Sequence, residues 1–310
     1  MNLAFIGHHL CQEHKPGGHH PECPERLYAI ADRMIASGME MLVTHYDAPE
    51  VTREQLLRVH DPDYVDLIFD SAPRMDGQLA WIDGDTAMSR GTLPAALRAA
   101  GAAIMAVELV MSDKHHSAFC CVRPPGHHAE RNRSMGFCFF NNVAVGAAHA
   151  LAAHGLQRIA IIDFDVHHGN GTQNIFEGDE RVLFCSSFQH PFYPGTGWET
   201  DAPNIANLPL PKLTDGPTYR VAVERHWLPR LDAFAPELIM ISAGFDGHAE
   251  DDMAQFNLHT SDFGWITRKL HDLAVKHAHE RIVSCLEGGY ELNALGRCVS
   301  THVDELIGHA

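Results

Sequence analysis

Arg158–Asn170 reads RIAIIDFDVHHGN, an apolar run whose carboxyl end carries two aspartates and two histidines where a strand ordinarily turns into a plain polar loop. In an extended chain, residues two apart share a face. If the strand continues through Val166, then Asp163, Asp165 and His167 project together, while Phe164 and Val166 point back into packing. Carboxylates and an imidazole on one face have the composition of a metal site, with Asp165 and His167 as the first ligand pair. The same pattern also suits a hydrogen-bonded strand end, so the rest of the chain must decide.

Three other segments behave alike. SAFCCV (Ser117–Val122) runs into RPPGHHAE with His127 and His128, ELIMISAGF (Glu237–Phe245) into Asp246, and RIVSCLEGG (Arg281–Gly289) into Tyr290. Between them, apolar residues recur at helical spacing over Asn141–His154, Tyr219–Phe234, Asp262–His277 and Glu291–Ile307. Alternating strands and helices predict an α/β fold, a mostly parallel sheet covered by helices on both faces. Ligands of such sheets sit beyond the carboxyl ends of the strands. The four polar clusters are therefore expected to meet.

Clusters spread from His127 to Tyr290 that must meet argue for one large domain over residues 1–310. The Pro- and Gly-rich stretch from Gln189 to Pro217 lacks periodicity and reads as a loop bordering the pocket. A formal net charge of −17 disfavours binding to phosphate backbones, which needs clustered Lys and Arg; a cationic substrate is compatible with it. The eight cysteines show no CxxC spacing and read as buried reduced thiols. The apolar stretch Ala102–Met111, interrupted by Glu108, is short of the ~20 residues of a membrane span, and the first residues carry no basic leader. A cytoplasmic enzyme without membrane or nucleic-acid partners is the expectation, its oligomeric state open.

The chain resembles the histone deacetylase superfamily of zinc amidohydrolases, nearest its class II and bacterial members. The resemblance is carried, in order, by HPECPERL (His20–Leu27), RPPGHHA (Arg123–Ala129), GFCFFNNVAVGA (Gly136–Ala147), DFDVHHGNGTQ (Asp163–Gln173), FYPGTG (Phe192–Gly197), SAGFDGH (Ser242–His248) and LEGGY (Leu286–Tyr290). It implies a three-layer αβα fold shared with arginases and one catalytic zinc held by Asp165, His167 and Asp246. It also implies a structural potassium ion at Asp163, Asp165 and His167 with Ser186 and Ser187.

The implied reaction is hydrolysis of an acetyl amide by water activated at zinc. By the resemblance, His128 is the proton shuttle and His127, oriented by Asp163, acts electrostatically. Asn170 stands where class I enzymes carry an aspartate to orient His128; a neutral amide supports imidazolium less than a carboxylate does, which leaves the division of roles between the histidines open. Tyr290, after the flexible pair Gly288 and Gly289, would donate to the oxyanion. Tyrosine there, rather than the histidine of some vertebrate class IIa enzymes, favours deacetylase activity. Gly136, Phe137 and Tyr193 map onto a narrow tunnel whose aromatic walls suit a methylene stem, whereas Phe139 and Phe140 read as packing. Met253 falls at the tunnel rim, where eukaryotic polyamine-selective members carry glutamate. Arg26 maps onto an internal channel fit for acetate exit. The histidines at 8, 9, 14, 19 and 20 read as a rim loop without ligating groups among them.

The leading reading is a zinc-dependent deacetylase of acetylated lysine in a peptide or protein, with acetylated polyamines as the alternative substrate. An arginase-type manganese pair would need further bridging carboxylates, where DVHHGN offers His168 and Asn170. A silent acyl-lysine-binding protein would need neither metal ligands nor an oxyanion donor.

Overall fold

The computed structural model describes residues 3–308. Among the described residues ten strands are formed: β1 (Leu3–Gly7), β2 (Val43–Asp47), β3 (Ala80–Trp81), β4 (Ala87–Met88), β5 (Ser117–Cys120), β6 (Ile159–Asp163), β7 (Val182–Gln189), β8 (Ile205–Leu210), β9 (Leu238–Ala243) and β10 (Ile282–Leu286). Eight of them make one sheet in the order β2-β1-β5-β10-β9-β6-β7-β8, while β3 and β4 pair in a small antiparallel hairpin. Every pairing in the large sheet is parallel.

The strand sequences match their positions. Every residue of β5, β6, β9 and β10 is buried, as expected of central parallel strands covered on both faces. The edge strand β2 is buried only at Val43, and partly and fully exposed residues alternate after it. Helix Thr92–Met111 packs on β1, β5 and β10 and on helix Asn142–Ala153; helix Leu292–Ile307 also meets β1 and β5 and packs between helices Glu25–Ser37 and Thr260–His277. The two helical groups cover opposite faces and complete the predicted αβα layering.

Four expectations need correction. The strand ahead of the DVHH segment ends at Asp163 instead of running through Val166, and the Asp163 carboxylate faces His127 Nδ1 while Asp165 and His167 meet each other; Phe164 and Val166 are nevertheless buried. The segment Gln189–Pro217 contains β8, hidden by Pro209, which an edge strand tolerates. The apolar stretch near Met111 belongs to a 20-residue helix that is long and apolar enough to cross a membrane, but 67% of its most apolar window is buried in the protein. It serves as the central helix of one covering layer. The helix expected over Tyr219–Phe234 is divided at Trp227 into Gly216–His226 and Leu228–Phe234.

Candidate active site

Four adjacent strands at the centre of the sheet, β5, β10, β9 and β6, send their carboxyl ends into one volume. The His127–His128, Glu287–Tyr290, Asp246 and Asp165–His167 segments therefore meet because their strands are neighbours, although 163 residues separate His127 from Tyr290 in sequence (290 minus 127). The His167 Nδ1 lies 3.0 Å from Asp165 Oδ1 and 3.1 Å from Asp246 Oδ2. One ligand atom from each of the three residues falls within 4.8 Å of the others. Donors ~2.0–2.1 Å from a tetrahedral ion stand about 3.3 Å apart, so this trio fits a zinc ion and leaves one coordination position open.

Backbone amides hold the carboxylates in place. Asp165 accepts from the N–H of His167 (2.9 Å) and of Gly288 (2.9 Å), and Asp246 accepts from Val166 (3.0 Å). A Cβ on Gly288 would stand 2.1 Å from Asp246 Oδ2, so glycine is required there to make room for a ligand; it lines the floor of the cavity. Asp163, Asp165, Asp246 and Glu287 are all buried together. Before any cation is counted, burial opposes charge on His167, but hydrogen bonds to Asp165 and Asp246 raise its pKa to about 10. Such an anionic donor set, with no lysine or arginine ion-paired to its three ligands among the described residues, is suited to a divalent cation.

The tandem histidines stand side by side, ring centroids 4.0 Å apart. The His127 Nδ1 donates to Asp163 Oδ2 at 2.9 Å, whereas His128 Nδ1 meets Asn170 Oδ1 at 2.7 Å. Their charge preferences diverge. Burial disfavours imidazolium at both, yet the carboxylates of Asp163 and Asp165 raise His127 well above the ordinary histidine range. At His128, burial and the neighbouring His127 and His167 lower the pKa well below that range.

A cavity of about 220 Å³ leads to this floor, with Phe137, Phe192 and Tyr193 as walls and Met253 and Tyr290 in its lining. Phe137 adopts φ 67° and Gly136 φ 56°, and a Cβ at Gly136 would come within 2.4 Å of the His128 ring. The residues expected to form the tunnel thus line one space, with Phe192 added, its ring stacked on His167 at 5.5 Å. Asp85 also lines the cavity, accepting the Gly136 N–H at 3.1 Å. Its trace in sequence is a short acidic turn, DGDT (Asp83–Thr86), that resembles any surface loop. Phe139 and Phe140 are core residues, as expected.

Tyr290 is held from two sides. Asp251 Oδ2 accepts from the backbone N–H of Tyr290 (2.6 Å) and Glu291 (3.0 Å), while its other oxygen accepts from Met253 N–H (3.0 Å). Arg26 lies 5.0 Å from the centroid of the phenol ring and donates to the carbonyls of Glu287 and Gly289. Burial, then Asp246, raises the phenol pKa well above its ordinary value, so Tyr290 keeps its O–H as a donor. Gly289, at φ 117°, makes the turn between Gly288 and the tyrosine.

Of the N-terminal histidines, His20 packs edge-on against Phe137 at 4.6 Å, so it does border the pocket. His14 does not: it is buried and meets Glu22 at 3.2 Å and Thr92 at 2.7 Å. Ser186 stands in register beside Asp163, but its hydroxyl meets His168 Nδ1 at 3.0 Å, and the Ser187 hydroxyl meets Tyr219 at 3.2 Å. All eight cysteines are unpaired and seven are buried; Cys23 is partly exposed. A second group with metal-type donors, Glu108, His149 and His154, lies between the two helices of one layer. There Arg58, which can only donate, lies 3.0 Å from His149 Nδ1, so that nitrogen accepts and Nε2 carries the proton toward Glu108. Hydrogen bonding accounts for that cluster without a metal.

A parallel sheet covered on both faces, with metal-type donors and an acid–base pair at its carboxyl edge, defines the deacetylase and arginase class of α/β fold. A sequence model of the histone deacetylase domain matches residues 20–306. The chain is 34% identical to the histone deacetylase-like amidohydrolase of Pseudomonas aeruginosa, over 98% of this chain and 86% of that protein. It is 37% identical to the polyamine deacetylase HDAC10 of Homo sapiens over 93% of this chain, which spans 45% of that protein. The type-2 histone deacetylase 2 of Dictyostelium discoideum is 36% identical over 97% of this chain, which spans 20% of its length. The crystal structure of the HDA15 HD domain matches with a TM-score of 0.91 and 31% identity, covering 99% of this chain and 90% of that one. The chain belongs to the histone deacetylase family.

Proposed function

We propose that this chain is a zinc-dependent hydrolase that removes the acetyl group from N-ε-acetyl-lysine in a peptide or protein and releases acetate. The observation that carries this reading is the convergence of the Asp165, His167 and Asp246 donors, the His127–His128 pair and Tyr290 at the floor of one aromatic-walled cavity. Zinc, when bound, polarises the acyl oxygen and makes water nucleophilic at neutral pH.

The chain's own residues do the rest. Phe137, Phe192 and Tyr193 exclude water from the methylene stem and orient the amide. His128, held neutral, takes the proton of the attacking water at Nε2 and later returns it to the leaving amine. His127, held as imidazolium by Asp163, stabilises the negative charge that develops. Tyr290 donates its O–H to the oxyanion. Arg26 and the carbonyls around it border the acetate exit. Potassium at Asp163, Asp165, His167, Ser186 and Ser187, and a cytoplasmic setting consistent with eight unpaired thiols, belong to the same proposal.

The polyamine reading is favoured by the relationship to HDAC10 and opposed by Met253 at the lining, a neutral residue with no charge for a second ammonium. One preparation, stripped of metal and reloaded with zinc, decides between them: acetate release is followed from an acetylated lysine peptide and from acetylated putrescine and spermidine. Zinc-dependent turnover of the peptide is expected. No turnover of any acetylated amine, or a requirement for two manganese ions per chain, would defeat the proposal.

A further inference from the structure

Two adjacent histidines can divide acid–base work only if each ring is held in a defined tautomer, and for His128 the partner is an amide that could face either way. We propose that Glu130 is a positioning residue: it fixes the orientation of Asn170 and thereby keeps the His128 proton on Nδ1 and its lone pair on Nε2. The inference rests on the hydrolytic reading above and assigns a residue to it that no catalytic motif marks.

An asparagine side chain has one donor end and one acceptor end of nearly equal shape. Around Asn170 the donor end is surrounded by acceptors only: Glu130 Oε1 at 2.7 Å, Met135 Sδ at 3.3 Å and the His128 carbonyl oxygen at 3.4 Å. Turning the amide over would press Oδ1 against a carboxylate and leave the buried NH2 facing the ring. The acceptor end must therefore face His128 Nδ1, 2.7 Å away, and Nδ1 must be the donor. In a neutral imidazole this leaves Nε2 unprotonated, in a side chain that lines the cavity. The carboxylate that class I relatives place directly on the ring is here one residue further out and reaches His128 through an amide.

Glu130 is not needed to hold its own loop. Its N–H donates to Arg133 O (2.9 Å), its carbonyl meets His60 Nδ1 (2.9 Å), and the next N–H, of Arg131, donates to Asn174 Oδ1 (3.0 Å). The side chain is partly exposed, so a lysine can be accommodated there.

Glu130→Lys replaces an acceptor with a donor and should turn Asn170 over. With zinc-loaded enzyme and acetylated lysine peptide, kcat should fall by roughly 10- to 100-fold with KM within about twofold, at the lower end of what one acid–base group contributes. Adding Asn170→Asp, whose two oxygens accept from both sides, should restore kcat to within about threefold. Nitrogen-15 NMR of histidine-labelled protein, with the His128 resonances assigned by their loss in His128→Gln, reads the tautomer without any turnover. Nδ1–H is expected in the wild type and in the double variant, and Nε2–H in Glu130→Lys. If Glu130→Lys does not fold, Glu130→Ala should give a mixture of tautomers. An unchanged tautomer in these variants, or a lost kcat that the double variant does not restore, overturns the assignment. A wild type that shows the Nδ1–H tautomer yet hydrolyses nothing would instead defeat the functional reading and leave the positioning intact.

Discussion

Two buried polar regions lie close to Tyr290, and they are balanced in opposite ways. In the first, Asp163, Asp165, Asp246 and Glu287 gather four carboxyl groups around two histidines, with no guanidinium or ammonium ion-paired to any of them among the described residues. In the second, beneath Tyr290, the single carboxylate of Glu22 receives Arg123, Arg26 and His14. Burial would raise the Glu22 carboxyl, but Arg123, then His14, hold it well below the usual carboxylate range. A region closed upon its own counter-ions is structure; a region left short of positive charge is a site for something brought from outside. Both depend on burial, and only their charge bookkeeping tells them apart.

Removing a carboxylate should therefore have different consequences in the two regions. On the proposed function, Asp246→Ala deletes a zinc donor, and acetate release should fall by at least about 10⁴-fold, several kcal/mol of barrier. Zinc content per chain should fall with it, while the thermal midpoint of the metal-free protein changes little. Full zinc occupancy in Asp246→Ala would break the contrast. Glu22→Gln should do the reverse: about 3–5 kcal/mol of stability lost, because Arg123 and Arg26 lose their buried counter-charge, with zinc still bound by the folded fraction. Denaturant unfolding measures this, the midpoint falling at an unchanged slope.

Acid sharpens the same contrast. His60 and His302 are buried neutral, and burial lowers their pKa values to about 4 and about 3. Their unfolded value is 6.5, so the unfolded chain binds protons first. Stability is full above pH 6.5 and declines as pH falls toward those folded values, by about 3 kcal/mol for each ring by pH 4. Glu22 has the same sign over a lower window: its contribution is full above pH 4.5 and is lost progressively as pH falls from there through its depressed folded value. Urea midpoints at stepped pH should fall between 6.5 and 4, and His60→Gln should flatten that fall. A midpoint that first drops below pH 4 would contradict the assignment of neutral buried rings.

Asp165, His167 and the tandem histidines stand out in the chain because polar residues at the ends of apolar strands violate the ordinary pattern, whereas Asp246 as a third donor and the roles of the histidines came only from the family resemblance. The convergence followed from strand order, since the four clusters sit on neighbouring strands. Other parts had no such signal. Asp163 lies in the same run as Asp165, and two-residue alternation cannot show that the strand stops there. Asp85, Glu130 and Asp251 look like loop charges, since what distinguishes them is the backbone N–H or amide they face across 51, 40 and 39 residues. The helix Thr92–Met111 is rich in alanine and buried over most of its surface, so it lacks the polar face that marks an amphipathic helix.

Two substitutions separate the phenol from its support. Tyr290→Phe removes only the O–H, and should lower kcat by roughly 10²- to 10³-fold while zinc content and fold persist. Asp251→Asn is gentler, since an amide oxygen can still accept from the N–H of Tyr290 and Glu291 but without charge. Loosening the anchor by a fraction of an ångström should cost about 10-fold in kcat. In a Tyr290→Phe background the same change should cost nearly nothing, because the group it positions is gone. Equal losses in both backgrounds would mean that Asp251 acts on the cavity through Met253, whose N–H it also holds, and that the floor and the rim form one mechanical unit.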